Sequence, residues 1–178
     1  KNRDAARKVT EHLLGRGRRG IVYLDAPQPP GGVYQSSVER REGYRDAMRA
    51  AGLEPRVVAL EYAAQEERVE SARAAAHRLL GEAQPPTAFF CVTDYEAAGA
   101  LYACLSRGLR VPEEVAAAGF DDLDVGRFAM VPITTVRQPF YEAGRCAVRH
   151  LLSWARERPP SHTLLDCELL VRASTGGA

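Results

Sequence analysis

At 178 residues the chain is long enough for one domain with a real hydrophobic core. Its 46% hydrophobic and 26% charged residues are ordinary for a globular protein, and no apolar run approaches the ~18–20 residues that span a bilayer. Lys and Arg (24) balance Asp and Glu (23) to a formal charge of +1, without the basic excess that gripping a nucleic acid alone demands.

The opening Lys1-Asn2-Arg3-Asp4 has no apolar h-region, so no signal peptide is expected. Cys91, Cys104, Cys146 and Cys167 lie far apart with no C-x-x-C spacing. They read as buried free thiols, which fits a reducing, cytoplasmic compartment. The four His residues show no ligand spacing, so neither a metal nor a cofactor is expected.

In chain order, residues 3–14 read as a helix, with Ala6, Val9, Leu13 and Leu14 at helical spacing and Gly15 and Gly17 at its end. The apolar run 20–24 has the length of a buried parallel strand. Pro and Gly mark 26–35 as a loop, and a helix over 37–51 follows, stopped by Gly52. Then come a strand at 56–60, a helix at 66–80, a strand at 88–92, a helix at 95–107 and a strand at 115–119. A helix over 141–155 and an extended segment over 164–172 complete the chain. Strands separated by single helices predict an α/β fold with a three-layer parallel sheet and helices on both faces. In such sheets ligands bind beyond the carboxyl ends of the strands. That edge carries Asp25, Glu61-Tyr62, Thr93-Asp94 and Asp121-Asp122.

Asp121 and Asp122 follow an apolar strand and Gly119. Two carboxylates there can act as acid and base, hold a divalent metal or accept hydrogen bonds from hydroxyls; they can equally be a helix N-cap and a solvated acid. Asp94, just ahead of a helix, reads first as a cap. Arg40 falls in the first turn of its predicted helix, where a cation is poorly placed; it either holds an oxygen-rich ligand or pairs with a nearby acid such as Glu39. Tyr62 and Phe140 are core residues or pocket walls. No P-loop, G-x-S-x-G elbow, G-x-G-x-x-G or Cys/His catalytic arrangement is present, so the chain is not expected to be an enzyme.

Several motifs occur together in order. They are Glu39-Arg40-Arg41-Glu42-Gly43-Tyr44, Phe89-Phe90-Cys91-Val92-Thr93-Asp94, Gly108-Leu109-Arg110-Val111-Pro112, Gly119-Phe120-Asp121-Asp122, Ile133-Thr134-Thr135-Val136-Arg137-Gln138-Pro139 and Leu170-Val171-Arg172-Ala173-Ser174-Thr175. In these the chain resembles the LacI/GalR family of bacterial transcription regulators over essentially its whole length. The resemblance implies a type I periplasmic-binding-protein-like fold of two lobes, with a small-molecule effector, usually a sugar, in the cleft between them. It assigns effector contacts to Asp4, Arg40, Tyr62, Thr93, Asp121, Gln138 and Phe140. Carboxylate and guanidinium would bind sugar hydroxyls while an aromatic ring covers the apolar ring face.

The family usually has Asn where this chain has Thr93, which removes an amide donor. By the same resemblance, residues 1–16 and 138–159 belong to the N-terminal lobe, and 17–137 and 160–178 to the C-terminal lobe. The chain then holds mostly the C-terminal lobe and lacks the helix-turn-helix that would contact DNA. It reads as a piece of a longer protein whose terminal helices lack much of their sheet. A homodimer is implied through 95–107 and 123–128. The alternatives are a transporter's sugar-binding protein and a metal-dependent enzyme using Asp121 and Asp122.

Overall fold

The computed structural model describes residues 1–154 and 162–177. Residues 155–161 and 178, which include parts of the expected helix over 141–155 and of the lobe segments 138–159 and 160–178, lie outside the described residues.

Four parallel strands form the central sheet: β1 (Ile21–Asp25), β2 (Arg56–Ala59), β3 (Ala88–Cys91) and β4 (Ala116–Ala118), in the order β2-β1-β3-β4. Because successive side chains alternate across a sheet, each apolar strand feeds two cores. Ile21, Tyr23, Phe90 and Phe120 face one side, where they meet Ala6, Val9 and Leu13 of α1 (Asn2–Gly15) and Tyr44 and Met48 of α2 (Gln35–Ala50). Val22, Leu24 and Phe89 face the other, against Ala72, Ala76 and Leu79 of α3 (Arg68–Leu79) and Ala97, Leu101 and Cys104 of α4 (Asp94–Ser106). Each large side chain fully buried this way contributes about 1.5–3 kcal/mol. The Tyr44 hydroxyl also donates to the Ile21 carbonyl at 2.8 Å and accepts from the Arg56 amide at 2.9 Å, tying α2 to the start of β1 and β2.

The three-layer α/β architecture and the parallel sheet are therefore those expected, with differences at the edges. A 3₁₀ turn, Gln65–Glu67, leads into α3. Two short elements are additional, α5 (Asp124–Arg127) and β5 (Thr135–Arg137). Ala118 bridges Thr134 in parallel, so β5 extends the sheet beyond β4. The last strand, β6 (Glu168–Leu170), pairs with β5 antiparallel. Apolar periodicity marks a strand but carries no information on which way the chain returns. Beyond β6 the Ser174 hydroxyl donates to the Ala117 carbonyl at 2.6 Å and accepts from the Thr134 amide at 2.8 Å, stitching the C-terminal turn to the sheet.

The two terminal helices differ sharply. The expectation that both lack their sheet is not met for α1: Ala6, Val9 and Leu13 are fully buried, and the helix is part of the same layer as α2. Residues 2–15 and the sheet that follows are one packed unit. The sixth helix, α6 (Phe140–Trp154), does meet it, with Phe140, Tyr141, Val148, Leu151 and Leu152 all more than half exposed. All four cysteines are free, but only Cys91 and Cys104 are buried; Cys146 and Cys167, expected inside, are partly exposed, Cys146 on α6 and Cys167 at the rim of the core that holds α1 and α2. No helix among the described residues is long and apolar enough to cross a membrane.

Candidate functional site

The carboxyl ends of the strands carry two polar clusters. The first is built on Arg40, which lies one turn deeper in α2 than the sequence suggests because the helix starts at Gln35. Its guanidinium is buried and its partner is not Glu39. It donates to Asp121 Oδ1 at 2.9 Å, to the Val92 carbonyl at 2.7 Å and to Asn2 Oδ1 at 3.1 Å, and lies 3.9 Å over the Phe120 ring. Such a planar fork on a carboxylate is a strong, directional pair. Gln138 joins it, its amide donating to the same Asp121 oxygen at 2.5 Å.

Asp121 is held there by its backbone, since its amide donates to the Val136 carbonyl at 2.8 Å. It stands at φ 101 and Asp122 at φ 54, a region that non-glycine residues enter at a cost and that recurs at binding sites. Gly119 permits the turn. A Cβ there would fall 2.2 Å from Asp94 Oδ1.

The second cluster joins Thr93, Tyr62 and Glu96. Thr93, not Asp94, is the N-cap of α4: its hydroxyl oxygen accepts from the Tyr95 amide at 3.2 Å. The same hydroxyl donates to Glu96 Oε2, while the Tyr62 hydroxyl donates to Glu96 Oε1 at 3.0 Å. These three side chains line an open cavity of about 610 Å³, walled also by Pro27, Pro29 and Tyr34. Cavities of this size hold small organic ligands.

Asp94 and Asp122 are structural. Asp94 is fully buried; it accepts from the Leu123 amide at 2.7 Å and the Thr135 hydroxyl at 2.6 Å, tying the approach to α5 and the start of β5 to α4. Burial pushes its carboxyl up to about 7 against those two bonds. Asp122 is the hub of an arginine cluster, accepting from Arg137 at 2.7 Å, Arg127 at 3.3 Å and Arg172. Burial alone would raise its carboxyl, but the bonds from Arg137 and Arg172 hold it below the usual carboxylate range.

Of the seven residues singled out from sequence, the structure thus brings Arg40, Asp121 and Gln138 into one cluster and Thr93 and Tyr62 into the other. Asp4 is exposed on α1 in neither cluster, and Phe140, at the start of α6, reaches the first only through its backbone amide, which donates to the Gln138 carbonyl at 2.9 Å, its side chain being 60% exposed. Asn2 and Glu96 were missed. For Glu96 a signal existed: Thr93-x-x-Glu96 is the spacing of a capping box. Among the described residues no group of three or more His, Cys, Asp or Glu is arranged to hold a metal ion.

The periplasmic binding protein-like domain family matches residues 10–175. The HTH-type transcriptional repressor CytR of Escherichia coli is 35% identical over 177 residues, covering 98% of this chain and 50% of CytR. A regulatory protein of the LacI family from Chloroflexus aggregans superposes with a TM-score of 0.86 at 32% identity, over 98% of this chain and 62% of that one. The chain belongs to the LacI/GalR family, as its periplasmic-binding-protein-like effector-binding domain. The HTH-type transcriptional regulator CelR of Thermobifida fusca is 34% identical over 97% of this chain and 50% of its own length. A CelR–cellobiose complex superposes with a TM-score of 0.83 at 33% identity, over 97% of this chain and 52% of that chain. The chain spans about half the length of the curated relatives it matches.

Proposed function

We propose that this LacI/GalR domain is the effector sensor of a cytoplasmic transcription regulator, and that its effector is a sugar bound at the carboxyl edge of the sheet. The observation that carries the reading is the buried Arg40–Asp121–Gln138 cluster, built on a strained backbone beside an open cavity. The guanidinium and the carboxylate satisfy each other in the structure. A sugar hydroxyl that accepts from Arg40 and donates to Asp121 replaces one directional pair with two, which stabilises one arrangement of the edge over another. Tyr62 supplies aromatic surface beside it. The cellobiose complex of CelR supports a sugar as the ligand class to test first.

A homodimer and DNA contact through a helix-turn-helix complete the proposal, with effector binding shifting the dimer between DNA-competent and DNA-incompetent states. Asp122 has its oxygens taken up by three arginines, which argues against an acid–base or metal role for the Asp121–Asp122 pair. Nothing in the site favours a transporter's sugar-binding protein over a regulator.

Titration calorimetry with cellobiose and simple pyranoses tests the assignment. Asp121→Asn and Gln138→Ala should each weaken binding of whichever sugar the parent binds by about tenfold or more, the usual worth of a hydrogen bond to a charged group. Unchanged affinity in both variants would sink the assignment.

A further inference from the structure

One buried acid lines the cavity and takes no part in the Arg40–Asp121 pair. Glu96, in the first turn of α4, is fully buried and forms no ion pair among the described residues. Its two oxygens are met only by uncharged hydroxyls, those of Tyr62 and Thr93. A carboxylate withdrawn from water is costly unless it is compensated, and two neutral donors compensate it only in part.

The hydrogen bonds have a direction. Each hydroxyl has one proton, and both have given it to Glu96. What Tyr62 and Thr93 can still offer is oxygen lone pairs, and the Thr93 oxygen already accepts from the Tyr95 amide. This polar cluster accepts and does not donate. Gln28 gives one of its two N–H groups to the Ala26 carbonyl at 3.3 Å and its oxygen accepts from the Tyr34 amide; with Gln65 and Ser37 it leaves the cavity a few neutral donors but no second cation beside Arg68. Arg68 is the single cation among the lining residues. It is half-exposed, its Nε donates to the Gln65 carbonyl at 3.0 Å, and its guanidinium lies 4.5 Å over the Tyr95 ring. Water and salt screen a charge at such a position far more than one at Glu96. Asp25, buried at the end of β1, is paired with Arg41 at 2.6 Å, and its other oxygen has no hydrogen-bond partner. Burial and Glu96 push the Tyr62 phenol up, Asp25 adding to them and Arg68 opposing.

We infer that this cavity takes a part of the effector that is rich in hydrogen-bond donors and not anionic, hydroxyls or an amine, and excludes carboxylates and phosphates, with Glu96 setting that choice. The inference rests on the effector-sensor reading and adds a ligand class to it. It makes Glu96 a specificity-determining residue, and it sets the Thr93 position apart as a relay of Glu96's negative charge.

Calorimetry with glucose, glucosamine, glucuronate and glucose 6-phosphate tests it on the parent chain, Glu96→Gln, Tyr62→Phe and Asp121→Asn. Glucose and glucosamine should bind the parent at least about tenfold tighter than the two anions. Glu96→Gln, nearly isosteric, should narrow that preference to about threefold or less, whereas Asp121→Asn should weaken binding without narrowing it. Tyr62→Phe, which removes a donor to Glu96 at a half-buried position, gives a second reading should Glu96→Gln fail to fold; it should alter the preference in circular-dichroism-verified native protein. Anions binding the parent as tightly as glucose, or a preference unmoved in the Glu96 and Tyr62 variants while Asp121→Asn still weakens binding, would overturn the inference and leave the effector reading standing. Failure of all four sugars to bind would overturn both.

Discussion

Asp94 and Asp122 stand on either side of the turn that carries Asp121, and their surroundings differ in kind. Burial raises the Asp94 carboxyl from 3.8 to about 7, against the two neutral donors that meet it. Asp122 is met by three arginines and is held below its usual range despite burial. Linkage turns this into opposite pH dependences. For Asp94 the folded chain favours the protonated acid, so its contribution to stability is complete below about pH 4 and is lost as pH rises toward 7. For Asp122 the contribution is complete above the ordinary carboxylate range and is lost as pH falls through its lowered value. Asp94→Asn matches the protonated acid in shape: its oxygen can accept from the Leu123 amide and its amide can donate to the Thr135 hydroxyl. Thermal melts from pH 4.5 to 8 should therefore show this variant gaining on the parent as pH rises, by a few kcal/mol at pH 8. A constant difference between the two across that range would mean that Asp94 does not titrate there.

At the scale of elements, the helix pairs on the two faces use the same device. A Cβ on Gly99 of α4 would lie 2.2 Å from the Val69 carbonyl oxygen of α3, and one on Gly43 of α2 would lie 2.1 Å from the Arg3 carbonyl oxygen of α1. In a helix interior glycine costs about 1 kcal/mol relative to alanine, so Gly99→Ala in isolation would stabilise α4. Here the overlap involves backbone, which cannot rotate away, and α3 and α4 must separate. Urea unfolding should show Gly99→Ala less stable by about 1–3 kcal/mol, the usual cost of overpacking. A neutral or stabilising result would mean that the helices are not in such close contact. Hydrophobic periodicity found α2 and α4 but treats a helical glycine only as a cost, because the reason for it lies on another helix. The same limit explains the other differences. β1 and β3 were legible because strands buried on both faces are continuous apolar runs. β5 and the Thr134 before it, with Thr134 and Thr135 buried and hydrogen-bonded to Arg172, Thr175 and Asp94, have no such run. At the site, Arg40, Asp121 and Gln138 were identified through linked motifs, whereas spacing alone could not tell Asp121 from Asp122; only the turn's φ values and the three arginines around Asp122 separate the two.

Across the whole molecule, the central sheet is covered on both faces, and among the described residues exposed apolar side chains group on α6 and beside α4 and α5, apart from others such as Val33 and Leu164. On α6, Tyr141, Val148, Leu151 and Leu152 form a stripe at helical spacing, all more than half exposed. Beside α4 and α5, Tyr102 is 56%, Phe128 78% and Met130 88% exposed. Within the expected interface segment 95–107, Ala97 and Leu101 belong to the buried core, so the proposed homodimer would use the exposed Tyr102, Phe128 and Met130. That surface sits on elements fixed by the core and by the Asp94–Leu123 bond, so little ordering entropy is lost on pairing there. The α6 stripe has no comparable anchoring in either core. Sedimentation velocity should accordingly find Phe128→Glu combined with Met130→Glu shifted toward monomer relative to the parent. Leu151→Glu combined with Leu152→Glu should leave sedimentation unchanged while lowering the fluorescence of a bound apolar dye such as ANS. Since these four side chains bury little, each double variant should unfold within about 0.5 kcal/mol per site of the parent. Dissociation by the α6 variant instead would place self-association on α6, and the surface beside α4 and α5 would lose its part in the proposed dimer.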